Sequence, residues 1–260
     1  MNKRAIIIIA AVLIIITTIV FFSAPKRPHK KAMPKALVAF VIDDWGYNRN
    51  NIDILLQIER PITLSILPNL RYSKEIADVV KEDGLLCDVM LHLPLESKSN
   101  KSAELNTIRC DMDKTEIISI LERDIKSIHG VIGVSNHQGS RATADKRVMN
   151  IIMGELKKRK LFFLDSFTAL DSVCLSAARN AGLKSAKRDV FLDLVDKKDA
   201  KQLEAYIKKQ IQKLAATALK KGSAIGIGHN KALTLKVIKD SIEEMERQGI
   251  QIVPVKNLVI

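Results

Sequence analysis

The chain has 260 residues, 47% apolar and 27% charged, a balance that excludes disorder and a collagen-like fibre and allows one large core. Lys and Arg outnumber Asp and Glu by 42 to 29, a net charge of +13, which taken alone points to nucleic acid or an anionic surface. The excess is uneven, because residues 1–35 hold seven Lys or Arg and no acid, leaving only +6 for the remaining 225 residues.

Residues 5–22 form an uncharged run broken only by Thr17 and Thr18. At about 1.5 Å per helical residue it just spans a bilayer core. Lys3 and Arg4 precede it like a signal n-region, while Phe22-Ser23-Ala24 lacks the small-x-small exit of a cleaved signal. Segment 1–24 therefore reads as one transmembrane signal-anchor helix, with a cleaved signal peptide as the alternative. Residues 25–35, with Pro25, Pro28 and Pro34, read as an extended Pro/Lys-rich linker. The flank after the run is the more basic one, which the positive-inside rule would hold in the cytoplasm. That conflicts with an exported domain, and orientation stays open at this level. Cys87, Cys110 and Cys174 contain no Cys-x-x-Cys pair, so neither a zinc ribbon nor a redox motif is available, and at most one disulfide can form.

From residue 36 to residue 260, short Val/Ile/Leu/Phe runs alternate with amphipathic stretches. Strands are expected at 39–43, 62–67, 86–91, 131–135, 161–164, 188–192, 224–228 and 250–255. Between them about seven helices are expected. Ser73 would cap one ending at Gly84, Asp113 with Glu116 forms a capping box, Thr143 would open another, and Asp199 opens a long one. Strict alternation implies right-handed crossovers and a parallel sheet. Both a doubly wound sheet and a (β/α) barrel fit, and eight strands in about 225 residues favour a small barrel. The stretch 95–112, rich in Ser, Lys and Asn, is the one long loop expected.

In parallel α/β folds chemistry gathers at the carboxyl ends of strands. There the sequence places Asp43-Asp44, His92, His137, Asp165 and His229, and it flanks the sixth strand with Arg188-Asp189 and Asp193. Three of the five histidines sit in this way. Any one alone would read as a structural residue, but together they suggest a rim site. Two histidines and a carboxylate with an open position suit one divalent cation, zinc first, with Mn²⁺, Co²⁺ or Fe²⁺ also accepted. Adjacent Asp43 and Asp44 should diverge, so that one can bind metal while the other accepts a proton.

Val41-Ile42-Asp43-Asp44-Trp45-Gly46, Met90-Leu91-His92-Leu93-Pro94-Leu95-Glu96, Asn136-His137-Gln138-Gly139-Ser140, Phe162-Phe163-Leu164-Asp165-Ser166, Arg188-Asp189-Val190-Phe191-Leu192-Asp193 and Ile225-Gly226-Ile227-Gly228-His229 resemble the divergent polysaccharide deacetylase family, a branch of the NodB-like glycoside hydrolase/deacetylase superfamily. The resemblance runs in order over residues 38–258. It implies an α/β fold, a distorted (β/α) barrel of seven to eight parallel strands, with metal-activated water attacking an acetyl carbonyl. By position it implies Asp44, His92 and His137 as metal ligands, Asp43 as general base and His229 as general acid. Asp165 or Asp189 would orient a catalytic group, and Trp45, Glu96 and Arg188 would stand around substrate. Three departures are visible: the histidines come from two strands rather than one His-x-x-x-His loop, the Arg-x-Pro-Tyr segment is not found, and Asn230 follows His229. The expected partners are a polysaccharide or peptidoglycan-type glycan and, through the N-terminal segment, a membrane. The expected location is the bacterial cell envelope, with the main domain outside the cytoplasm. A catalytically inert glycan- or partner-binding envelope protein is the alternative. No nucleic-acid partner is expected, because the basic 197–221 stretch has one aromatic, Tyr206, and reads as a solvated helix face.

Overall fold

The computed structural model describes Asn2 and residues 33–82, 86–99, 104–195 and 199–260. The expected membrane segment lies outside the described residues, as do most of the linker and the Gly84 helix stop. Among the described residues no helix is long and apolar enough to cross a membrane.

The strands are β1 (Ala36–Trp45), β2 (Ile62–Ile66), β3 (Cys87–Leu95), β4 (Val131–Gln138), β5 (Phe162–Asp165), β6 (Ser185–Lys187), β7 (Val190–Phe191), β8 (Ser223–His229) and β9 (Ile250–Ile252). Between them run α1 (Ile52–Leu56), α2 (Ser73–Glu82), α3 (Lys114–Lys126), α4 (Lys146–Lys158), α5 (Cys174–Ala181), α6 (Ala200–Lys221) and α7 (Ala232–Arg247). Every strand pairing is parallel, as helical crossovers require. The order is β6-β5-β4-β3-β2-β1-β8-β7, with β9 added beside β1. β1 is the central strand. It pairs with β8 from Leu37 to Asp43, while β9 takes Ala36–Val38 and β2 takes its later half.

The barrel does not close. β6 and β7 are not neighbours in the sheet. Ser185 N–H donates instead to the carbonyl of Ile260 at 2.9 Å, and Ile260 N–H donates back to Ser185 at 3.2 Å. The expected distorted barrel is thus present as an open, curled one, eight strands in the main path and β9 beside β1 among the described residues. β6 is the strand the sequence does not announce, because three residues ending in Lys carry too little apolar pattern.

Alternation along the strands gives the sheet two apolar faces. Val38, Phe40 and Ile42 of β1 are fully buried in the large cluster beneath the helices. Ala39 and Val41 point the other way, into a smaller cluster with Met90, Phe162, Leu164, Ile225 and Ile227. That smaller cluster is the barrel interior, and Val255 and Val259 from the C-terminal segment join it. Gly226 keeps one wall thin, since a Cβ there would come within 2.6 Å of Leu214 on α6.

Local signals place the helices. Asp113 accepts from Glu116 N–H, and the Glu116 side chain accepts from Asp113 N–H, both at 2.8 Å. Asp199 caps α6, accepting from Gln202 N–H at 2.8 Å, and Gly222 ends it with φ 89°. Two expected caps are otherwise employed. Asp145, not Thr143, caps α4, because the Thr143 hydroxyl donates to the Gly139 carbonyl at 2.7 Å. Ser73 lies inside α2, and its hydroxyl donates to the Leu67 carbonyl at 2.5 Å. All three cysteines are free thiols.

Candidate functional site

The interior face of the barrel changes character at the carboxyl ends of its strands. Two residues beyond Val41 stands Asp43, beyond Met90 stands His92, beyond Ser135 stands His137, and beyond Ile227 stands His229. The period of two that fills the barrel thus aims these four side chains into one space. Register completes the convergence: Asp43 faces His229 across β1 and β8, and His92 faces Ser135 across β3 and β4. His92 is not at a strand end as expected, because β3 goes on pairing with β4 as far as Leu95.

Asp44 breaks the alternation. Its φ is 65°, and the β1–β2 register shifts between Ile42 and Trp45, as at a bulge. The two carboxylates expected to diverge therefore meet at one imidazole. His92 Nε2 lies 3.6 Å from Asp43 Oδ2 and 3.4 Å from Asp44 Oδ1. His137 Nδ1 lies 3.1 Å from the same Asp44 oxygen.

Asp44, His92 and His137 each offer one ligand atom within 4.8 Å of the others, and among the described residues no other group of three or more does so. The residues fit a divalent cation on two further grounds. Asp44 Oδ1 is buried and accepts no well-formed hydrogen bond. His92 Nδ1 is engaged by Ser135 Oγ at 2.8 Å, itself 2.5 Å from Ser65 Oγ, which leaves Nε2 to face the centre, as a ligand histidine requires. Burial works against the Asp44 charge, yet the facing His137 and His92 outweigh it and hold the carboxyl well below the usual range.

Asp43 is almost fully buried. Burial pushes its carboxyl above the usual range, against His92 and His229, while neighbouring Asp44 adds to the rise. A carboxylate so disposed can take up a proton. Opposite stands His229, whose Nδ1 is 2.7 Å from Asp193 Oδ1. Asp193 Oδ2 accepts from the His229 backbone at 3.1 Å and from Thr234 Oγ1 at 2.7 Å. Burial alone would lower the His229 pKa; the Asp193 hydrogen bond and charge, with Asp44 and Asp43, reverse this and raise it. The Phe191 ring stacks beside His229 with centroids 6.0 Å apart, and the Arg188 guanidinium lies 3.6 Å from the Phe191 centroid.

These groups line a cavity of about 360 Å³ that also takes in Asn136, Phe167, Arg188 and Leu194. A larger cavity, about 600 Å³, lies at the open seam and contains no histidine. Asp189 lines that second cavity; its carboxylate accepts from Lys221 Nζ at 2.8 Å and Ile225 N–H at 2.9 Å. Asp165 accepts from Phe167 N–H and Ser172 Oγ, both at 2.7 Å, and so shapes the loop after β5. Neither touches a site histidine. Asp193 is the carboxylate that meets His229, visible in the sequence only as the acid that ends the 188–192 run. Trp45 is fully buried and faces the core. Glu96 accepts from Cys110 N–H at 2.7 Å and Arg141 Nη1 at 2.8 Å, pinning the long loop. Arg188 lines the cavity and donates to the Ser166 and Phe167 carbonyls at 2.8 and 3.0 Å. A further residue without a signal in the sequence is Glu104, whose Oε1 lies 3.9 Å from His137 Nε2 and accepts from the Tyr47 hydroxyl.

Comparison with known proteins supplies a context for this geometry. The profile of the divergent polysaccharide deacetylase family matches residues 40–259. The chain is 33% identical over 205 residues to YibQ of Escherichia coli (strain K12), covering 79% of this chain and 62% of that protein. It is 31% identical over 221 residues to a Haemophilus influenzae protein, covering 85% of this chain and 76% of the other. Thus it spans about three fifths of the length of the first relative. The fold is similar to that of an Agrobacterium tumefaciens C58 crystal structure, with a TM-score of 0.79 at 24% identity over 90% of this chain and 92% of that one. It is also similar to the catalytic domain of peptidoglycan N-acetylglucosamine deacetylase from Eubacterium rectale ATCC 33656, with a TM-score of 0.52 at 16% identity over 88% and 94%.

Proposed function

The chain belongs to the divergent polysaccharide deacetylase family, and from that membership we propose that it is a metal-dependent hydrolase that removes acetyl groups from an envelope glycan of the peptidoglycan type. The observation that carries the reading is the meeting of Asp44, His92 and His137 within 4.8 Å beside one buried carboxyl and one carboxylate-held imidazole. Asp44, His92 and His137 would hold one divalent ion, zinc first, with Mn, Co or Fe as alternatives. When bound, such an ion supplies Lewis-acid polarisation and a lowered water pKa.

The remaining steps fall to the chain's own side chains. Asp43 takes a proton from the attacking water. His229, kept protonated by Asp193, gives its proton to the departing amine or alkoxide, so acetate and the deacetylated sugar leave with the proton count balanced. Arg188 and Phe191 wall the side of the cavity next to His229, and Phe167 and Leu194 give a sugar ring apolar surface to lie on. The N-terminal segment would hold the domain at a membrane, its basic flanks meeting anionic headgroups, with the barrel outside the cytoplasm.

The test uses the full chain loaded with zinc and offered N-acetylated glycans and peptidoglycan fragments, with released acetate measured. Acetate release is expected, and Asp43→Asn should lower it by about 100-fold or more while still binding one equivalent of metal. His92→Ala should lose the metal. A metal-loaded chain that binds these glycans and releases no acetate would overturn catalysis and leave the inert glycan-binding role.

A further inference from the structure

The two ligand histidines differ in how their outward nitrogens are held. That of His92 is engaged by buried Ser135. His137 turns Nδ1 to Asp44, so its Nε2 points outward. Two groups reach that nitrogen: the Gln138 side-chain amide at 3.4 Å and Glu104 Oε1 at 3.9 Å.

Glu104 arrives from the loop between β3 and α3, far from any strand end, yet its side chain is only 20% exposed. It is fixed from two directions. The Tyr47 hydroxyl, on the loop after β1, donates to its carboxylate. Thr107 closes on its carbonyl, by N–H at 3.2 Å and by hydroxyl at 2.7 Å. Its carboxylate is not a member of the group that Asp44, His92 and His137 form, so it stands behind a ligand rather than among the ligands.

We infer that Glu104 is the positioning carboxylate of His137, held in place by Tyr47, and that it fixes the imidazole so that Nδ1 is presented to the metal. The inference rests on the metal-site reading above. Of the two groups near Nε2, the carboxylate is the one that can accept a hydrogen bond, because the Gln138 atom at 3.4 Å is its amide nitrogen, a donor. A charged acceptor strengthens the N–H bond and makes the opposite nitrogen a better donor to a cation, which an amide nitrogen cannot do. A separation of 3.9 Å is one that a small side-chain torsion closes. The arrangement would also make metal affinity depend on two loops, after β1 and after β3, whose described residues include no ligand.

The test is zinc affinity of the full chain, stripped of metal and titrated against a competing chelator, alongside the visible spectrum of the cobalt(II)-loaded protein. Wild type should bind one equivalent. Glu104→Gln should still bind one equivalent, with affinity lower by about tenfold and altered cobalt bands. Tyr47→Phe should weaken binding by a smaller factor, and Gln138→Ala should leave affinity and spectrum unchanged. Glu104→Gln with wild-type affinity and spectrum would overturn the inference alone, as would loss of affinity in Gln138→Ala instead. A wild-type chain that binds no metal would overturn the site reading and the inference together.

Discussion

Replacing Asp193 by Asn removes one charge and leaves the shape of the site. The Asp193 side chain is fully buried and that of His229 is 20% exposed, so solvent screens their 2.7 Å hydrogen bond only slightly. An amide oxygen can still accept from Thr234 and the His229 backbone, so the loss falls on the charged bond and, more weakly, on the 3.8 Å pair with the exposed Lys231 Nζ. Charge-assisted bonds contribute about 1.5–3 kcal/mol and neutral ones about 1, which makes the expected destabilisation about 0.5–2 kcal/mol. Its pH dependence follows from linkage. The His229 pKa is raised from its ordinary 6.5, so its contribution is complete below 6.5 and fades as pH climbs through the raised value. The Asp193 pKa is lowered from its ordinary 3.8 despite burial, by His229 and Thr234, so its contribution is complete above 3.8 and fades as pH falls through the lowered value. The cost of Asp193→Asn should therefore be greatest between those two ordinary values and shrink in alkali. Trp45, the only tryptophan and fully buried, provides the signal: urea unfolding of metal-stripped protein at about pH 5 and about pH 9. An equal cost at both, or none at either, would refute the reasoning.

Two further substitutions probe buried carboxylates that are outside the chemistry. Glu96→Gln weakens both the Cys110 and Arg141 contacts and should cost about 1–3 kcal/mol. The Cys110 thiol is pushed up to about 12 by burial and then by Glu96, so removing the charge should also speed its modification by a thiol reagent; an unchanged rate would count against Glu96 as the pin of the loop. Asp124 has its carboxyl pushed up to about 6 by burial, against Asn69 and Arg123. Its favourable contribution is complete below 3.8 and is lost as pH rises through about 6. Asp124→Asn should therefore raise Tm at neutral pH, by about 1–3 kcal/mol of stability, and flatten its pH dependence between acid and neutral, as calorimetry would show. Parallel curves for the two proteins would argue that the carboxyl is solvated.

Strand positions are legible in this sequence because the sheet is covered on both faces, and runs such as Val38 to Ile42 leave little ambiguity. The same periodicity exposes Asp43, His92, His137 and His229, since each continues an apolar face with an ionisable group. Partners chosen by tertiary placement are not legible. Asp193 becomes the partner of His229 only when β7 is laid beside β8 in register. Asp165 and Asp189 look equally suited in one dimension and turn out to be tied to a loop and to the seam. Glu104 has no local pattern at all, because a loop residue acquires its role from where the loop lands. Ser73 and Thr143 mislead for a related reason: both are good capping residues, and each finds a nearer carbonyl.

The left-handed backbone at Asp44 separates the interests of the fold from those of the site. Glycine would adopt φ 65° without penalty, whereas an L-residue in a sparsely populated region costs on the order of 1 kcal/mol. Two acids turned toward one buried imidazole do not serve packing either. The strand end is therefore divided: the backbone at position 44 would favour glycine, while His137 and His92 favour a charged carboxylate there. Exchanging this aspartate for glycine would relieve the backbone and at the same stroke forfeit the contacts to His92 and His137, so local strain and local electrostatics pull against each other at a single residue.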